Sequence, residues 1–120
     1  MIKYECTVVN IGPLVGEFID AGVIVLFGAG APEELVDFSI IHDGTELKSD
    51  LIPGDTVWID ETSFKVLAVG DVANTNLSNL GHLILKNNGQ DEPEMPGDVC
   101  LEEKPLPAFS IGTKVRVEGS

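Results

Sequence analysis

Short apolar runs punctuated by glycine and proline dominate the pattern along the chain. Residues 2–9 alternate between apolar and polar positions, which is typical of a strand with one buried face. Residues 22–27 form a continuous apolar run, which predicts a fully buried strand. Taken over the whole chain, these patterns predict strands at residues 2–9, 22–27, 38–42, 56–60, 63–69, 82–86, 99–102 and 114–117.

Helical spacing is confined to two segments. Residues 32–37 begin with a proline followed by two glutamates, which suits the first turn of a helix. In residues 71–80 the apolar positions fall on one helix face, and Gly81 is suited to end such a helix. The sequence therefore predicts one or two short helices, around 32–37 and 71–80.

Turn residues join the predicted strands. Asp43 and Gly44 directly follow the strand at 38–42, and this dipeptide favours a tight hairpin that continues through residues 45–52. Many short strands with few helical turns predict an all-β fold. We expect a small β-barrel or a rolled antiparallel sheet that forms a single domain over residues 1–120.

The charge balance narrows the classes of partner. The chain carries 20 acidic and 7 basic residues, with a net charge of −13. Such a surface repels nucleic acid and anionic lipid, and it attracts a basic protein. The chain starts without a signal-peptide pattern, and its longest purely apolar run, 23–27, is too short to span a membrane. We expect a cytoplasmic protein that does not insert into the membrane.

The two histidines are the residues most informative about chemistry. His42 ends an apolar run, and strand alternation places it at the rim of an apolar face that it shares with Phe38 and Ile40. Burial at such a position lowers the pKa of the imidazole and keeps it neutral, as a nucleophile requires. The same pattern also fits a purely structural histidine, so the local sequence leaves both interpretations open.

Two further side chains are candidates for a role beside His42. His82 follows the predicted helix end, and Lys48 is the only basic residue within a few positions of His42. Each of them also fits an ordinary structural or solvated position. Neither histidine has partners at metal-ligand spacing, and the chain has no phosphate-binding or dinucleotide motif. We therefore expect neither a metal nor a cofactor.

Two blocks of sequence carry a family resemblance. Residues 69–101, VGDVANTNLSNLGHLILKNNGQDEPEMPGDVCL, are similar to a pattern V-G-x-V-A-x-x-N-L-x-x-L-G-H followed by a glycine turn and P-G-x-V. Residues 30–55, GAPEELVDFSIIHDGTELKSDLIPGD, are similar to elements G-A-P, I-H and E-L-K-x-x-L-x-P-G. Over nearly its whole length the chain resembles the glucitol/sorbitol-specific IIA component of the phosphoenolpyruvate-dependent phosphotransferase system.

The resemblance implies a phosphoryl carrier. Members of this family accept a phosphoryl group from the phosphocarrier protein HPr and pass it to the IIB cysteine of a sorbitol transporter built from IIB and IIC subunits. The phosphorylated histidine of the family falls on His42. His82 is then the candidate to steady the phosphoryl oxygens, and Lys48 is the candidate charge partner. Some relatives have a second histidine at the position of Gly44. Because this chain has glycine there, no role of that histidine is assigned to it.

A different class of function also accounts for part of the pattern. A non-catalytic small β-barrel, such as a regulatory or ligand-binding module, explains the strands and turns equally well. It does not explain the two blocks that resemble the IIA family. With either function, exposed strand edges would allow a homodimer to form by strand pairing.

Overall fold

Eight strands and three short helices make up the regular structure of the chain. The computed structural model describes residues 1–119. In chain order the elements are β1 (Ile2–Ile11), α1 (Val15–Asp20), β2 (Val23–Phe27), α2 (Glu33–Val36), β3 (Ile40–His42), β4 (Thr56–Ile59), β5 (Thr62–Val69), α3 (Ala73–Leu80), β6 (Leu83–Lys86), β7 (Asp98–Leu101) and β8 (Lys114–Glu118). Within residues 1–119, no helix has the length and apolar character needed to cross a membrane.

The strands close into a barrel, which confirms the predicted fold class. Their order around the barrel is β1-β3-β2-β6-β7-β5-β4-β8, and β8 pairs with β1. Of the two predicted forms the barrel is the one observed, and its pairing is mixed, because β2 runs parallel to β3 and β6 runs parallel to β7. In both cases a connection of about a dozen residues or slightly fewer carries the chain back to the same end of the barrel. Closure of the barrel by residues 1–119 leaves no edge strand, which removes the basis for a strand-paired homodimer.

Both predicted helices are present, and α3 ends as expected. Gly81 follows α3 in the left-handed conformation, with φ of +65°. The sequence pattern did not predict α1. This helix has six residues, which is less than two turns, and so short a segment cannot display a helical periodicity of apolar residues.

The segment after β3 is the main departure from the sequence prediction. The hairpin predicted at Asp43 and Gly44 is absent, and residues 45–52 form no strand. The backbone N–H of Asp43 donates to the Thr7 carbonyl at 3.1 Å, and the Asp43 carboxylate accepts from the Thr7 N–H at 2.7 Å. Further on, the Lys48 N–H donates to the Lys3 carbonyl at 2.9 Å. Because these bonds hold the chain to β1, it continues along β1 in place of folding back.

Apolar side chains from all eight strands fill the barrel, and one buried ion pair lies beside them. The Lys3 side chain is 1% exposed, and its Nζ lies 2.8 Å and 3.1 Å from the two carboxylate oxygens of Asp55. The same Nζ donates to the Asp50 carbonyl at 3.0 Å. Buried charges are tolerated only with such partners. The pair therefore fixes β1 to the segment that enters β4.

Replacement of Lys3 by methionine should destabilise the barrel strongly. Lys3→Met leaves the Asp55 carboxylate buried without its counter-charge, so we expect the free energy of unfolding to fall by about 3–5 kcal/mol. Urea unfolding followed by tryptophan fluorescence would measure this loss. The double variant Lys3→Met/Asp55→Leu should recover much of the lost stability, because it removes both charges. Equal stability of the single variant and the wild type would contradict the prediction.

Candidate active site

His42 is held between two backbone groups at the end of β3. The Gly44 N–H donates to its Nδ1 at 3.0 Å, and its Nε2 lies 2.7 Å from the carbonyl oxygen of Gly81. A backbone N–H can only donate and a carbonyl can only accept. Nδ1 therefore carries the lone pair and Nε2 carries the proton. The backbone thus selects a single neutral tautomer.

The imidazole is more deeply buried than the sequence pattern indicated. His42 is 0% exposed, where alternation had predicted a residue at the rim of an apolar face. Burial lowers the pKa of the imidazole, while the hydrogen bond to the Gly81 carbonyl and the nearby Asp43 carboxylate act in the opposite direction. The net effect is a lowered pKa, which favours the neutral imidazole at neutral pH.

A cleft on the protein surface gives access to the two backbone groups that bind His42. The cleft has a volume of about 310 Å³, and Gly44 and Gly81 both contribute to its wall. Its full lining is Phe27, Gly28, Ala29, Gly30, Gly44, Thr45, Leu77, Ser78, Asn79, Leu80 and Gly81. Four of these eleven residues are glycines, which add no side chain to the wall.

Close packing explains why residue 81, on one side of the cleft, is a glycine. A Cβ atom at Gly81 would lie 2.9 Å from the Cα of Gly28 and 3.0 Å from Cε1 of His42. The positive φ of Gly81 also disfavours a side chain. The Gly28 N–H donates to the Leu80 carbonyl at 3.1 Å, which ties the end of β2 to the end of α3. This side of the site is therefore rigid.

Tyr4 is a neighbour of His42 that the sequence reasoning did not single out. Its ring meets the imidazole edge-on, with the ring centroids 5.9 Å apart and the planes at 90°. The tyrosine is 4% exposed, and within residues 1–119 its hydroxyl has no hydrogen-bond partner. Burial, and then the neighbouring Cys6 and Asp43, raise the pKa of Tyr4 to about 12. Strand alternation in β1 already pointed this residue inward, but it gave no indication that the hydroxyl would lack a partner.

His82 lies in a different environment from His42. Its Nδ1 is 3.1 Å from the Leu26 carbonyl, and its ring stacks on Phe27 with centroids 4.5 Å apart. It borders an apolar groove of about 540 Å³ on the outside of the barrel, together with Phe38. Phe38 was predicted to share the strand face of His42, but it precedes β3 and stacks on Phe18. In the described part of the chain, no hydrogen bond or ring contact joins the two histidines.

Lys48 is also separate from His42 in this structure. Its side chain is exposed, and the Nζ atom makes no hydrogen bond or ion pair with any of residues 1–119. Asp43 is the charged residue that influences the imidazole directly. Nor does any group of three metal-binding side chains occur in the part of the chain that is described.

Comparisons with known proteins agree on one family. The family model described as "PTS system glucitol/sorbitol-specific IIA component" matches residues 3–116. Proteins named "PTS system glucitol/sorbitol-specific EIIA component" from Shigella flexneri and from Escherichia coli (strain K12) are each 36% identical over 98 residues, which is 82% of this chain and 80% of the relative. The crystal structure of a PTS system IIA component from Enterococcus faecalis V583 superposes with a TM-score of 0.78 at 28% identity, covering 92% of this chain and 96% of that chain.

The buried imidazole should make stability depend on pH below neutrality. An unfolded histidine binds a proton at about pH 6.5, whereas folded His42 resists protonation until a lower pH. The contribution of His42 to stability is therefore complete above about pH 6.5. As pH falls from there toward the lower pKa of the folded state, this contribution decreases by up to about 1.4 kcal/mol per pH unit. Urea unfolding of the wild type and of His42→Gln from pH 7.5 to 5 should give curves that converge as pH falls. Parallel curves would contradict the lowered pKa.

Proposed function

The chain belongs to the glucitol/sorbitol-specific IIA family of the phosphotransferase system, and from this premise we propose that it is a phosphoryl carrier phosphorylated on His42. The observation that supports this role most directly is the fixed neutral tautomer, with a lone pair on Nδ1 next to the glycine-lined cleft. A neutral imidazole with one unprotonated nitrogen is what nucleophilic catalysis by histidine requires.

The proposed partners follow from the place of a IIA component between two other proteins. The donor is phospho-HPr, and the acceptor is the IIB cysteine of a sorbitol transporter that also contains a IIC subunit. The net charge of −13 favours a donor that presents a basic face. Long-range attraction of this kind accelerates encounter and weakens with added salt.

The first transfer exchanges one imidazole–phosphorus bond for another. The Nδ1 lone pair of His42 attacks phosphorus in line, the bond to the donor imidazole breaks, and its electron pair returns to that imidazole. Nε2 keeps its proton throughout, and the Gly81 carbonyl stabilises the positive charge that the ring acquires. Since the bonds made and broken are alike, positioning matters more than covalent activation. In the second transfer a cysteine thiolate attacks phosphorus, and the electron pair returns to Nδ1.

Access to Nδ1 requires the Gly44 N–H to move aside. Gly44 belongs to the irregular segment at residues 43–55, and its neighbours Asp43, Thr45 and Glu46 are exposed. The Nε2 side is closed by Gly81, which packs on Gly28. Residues 43–46 belong to no strand or helix, so fewer regular hydrogen bonds hold them in place, and this favours attack from Nδ1 over attack from Nε2.

Three groups are proposed to act on the phosphoryl group or on its position. The Gly44 N–H can transfer its hydrogen bond from Nδ1 to a phosphoryl oxygen. Lys48, on the same segment, is the proposed charge partner. His82 is the proposed stabiliser. Its bond to the Leu26 carbonyl holds the peptide next to Gly81, so it can act by positioning the carbonyl that binds Nε2.

Phosphoryl transfer to His42 is tested most directly by labelling. Enzyme I, HPr and ³²P-labelled phosphoenolpyruvate should label the wild-type chain, with the label mapped to His42 by mass spectrometry. His42→Gln should accept no label, because the amide has no nucleophilic lone pair on nitrogen. His82→Gln is the matched control and should still become labelled. Label retained by His42→Gln would refute the assignment.

Loss of the His82 ring should slow transfer without unfolding the protein. The ring is only half-buried, and its bond to Leu26 contributes about as much as one ordinary hydrogen bond. We therefore expect His82→Gln to reduce the rate of phosphoryl transfer from HPr about tenfold. Rapid-quench labelling measures the rate, and circular dichroism checks the fold. Lys48→Gln in the same assay tests the proposed charge partner. A wild-type rate in either variant removes that residue from the mechanism.

A further inference from the structure

The Tyr4 hydroxyl is buried in a way that the fold does not explain. It has no hydrogen-bond partner among residues 1–119, although the side chain is only 4% exposed. A buried polar group without a partner costs free energy. A phenylalanine at this position would make the same ring contacts without that cost. An orphaned hydroxyl next to a candidate active site indicates a partner that is present only in another state of the protein.

The hydroxyl lies next to the residue that covers the reactive nitrogen of His42. A Cβ atom built on Gly44 would come within 2.8 Å of the Tyr4 Oη, and the Gly44 N–H is 3.0 Å from Nδ1. The Tyr4 ring also packs edge-on against the imidazole. A group bonded to Nδ1 would therefore occupy the space where the Gly44 N–H now points, next to the hydroxyl.

We propose that the Tyr4 hydroxyl donates a hydrogen bond to a phosphoryl oxygen carried on Nδ1 of His42. This role rests on the proposed function. In the phosphorylated state the Gly44 N–H and the Tyr4 O–H would donate to the same phosphoryl group, and Tyr4 would make and break no covalent bond. Hydrogen bonds to an ionised oxygen are about twice as strong as those between neutral groups.

The protonation state of Tyr4 suits a donor. Burial raises the pKa of the phenol to about 12, so it keeps its proton at neutral pH. The groups that face it are Cys6 and Asp43, together with the His42 ring. None of these is a cation that would favour the phenolate. Because the bond exists only when the phosphoryl group is present, it shifts the equilibrium between HPr and this chain toward phospho-His42.

The variant Tyr4→Phe separates this role from simple packing. It removes only the hydroxyl, so the melting temperature should stay the same or rise. The equilibrium fraction of phosphorylated chain, measured against a fixed ratio of phospho-HPr to HPr, should correspond to an equilibrium constant about tenfold lower. Cys6→Ala is the matched control, since Cys6 also packs against Gly44. It should lower the melting temperature and leave the equilibrium constant unchanged.

A spectroscopic readout keeps the test decisive if the variant folds poorly. Tyr4 is the only tyrosine in the chain, so ¹³Cζ labelling of tyrosine reports on this hydroxyl alone. Phosphorylation of the wild type should shift that resonance, and His42→Gln treated in the same way should show no shift. An unshifted resonance in phosphorylated wild type, or a wild-type equilibrium constant in Tyr4→Phe, would overturn the role of Tyr4 and leave the proposed function intact. Label on a residue other than His42 would overturn both.

Discussion

The backbone clamp on His42 is the constraint around which the site is arranged. One half of the clamp is the Gly44 N–H just after β3, and the other is the Gly81 carbonyl between α3 and β6. In the barrel, β2 lies between β3 and β6, and its last residue is followed by Gly28, which packs directly on Gly81. The strand order thus brings two distant segments to one imidazole. A different order would leave at least one ring nitrogen buried without a partner.

Burial keeps the imidazole neutral, but the proposed phosphoryl transfer requires that the phosphoryl group of another protein reach it. Glycines help to reconcile these demands, since Gly44 and Gly81, which bind the two ring nitrogens, add no side chain to the cleft. The segment over Nδ1 is fastened on both sides of Gly44. Asp43 is bonded to Thr7 on one side, and the buried Lys3 is linked through backbone and side chain to Lys48, Asp50 and Asp55 on the other. The movement that the proposed transfer requires at Nδ1 would therefore involve only a few residues after Asp43.

The strands could be predicted from the sequence because they depend on local pattern, whereas His42 was singled out by the family resemblance and not by its local pattern. Alternation of apolar and polar residues predicted β1 and β8. Gly81 predicted the end of α3, because glycine readily adopts the left-handed conformation found there. The parallel pairings and the course of residues 43–55 depend on which strands become neighbours, which no local pattern encodes. The same limit applies to His42. Alternation gave its face, but its complete burial and its tautomer depend on Gly81, which is 39 positions away in the chain.

The groups that lie next to Nδ1 in this structure are neutral, and the proposed charge partner, Lys48, is exposed to solvent. A buried lysine paired with the phosphoryl group would stabilise phospho-His42 strongly, because charges attract more in a site of low dielectric. A carrier that bound its cargo so tightly would accept it readily and release it slowly. The one deeply buried lysine, Lys3, is instead committed to Asp55, away from the imidazole. With a backbone N–H and a phenol as the proposed buried donors and an exposed lysine as the proposed charge partner, stabilisation would stay moderate, so the phosphoryl group could leave as readily as it arrived.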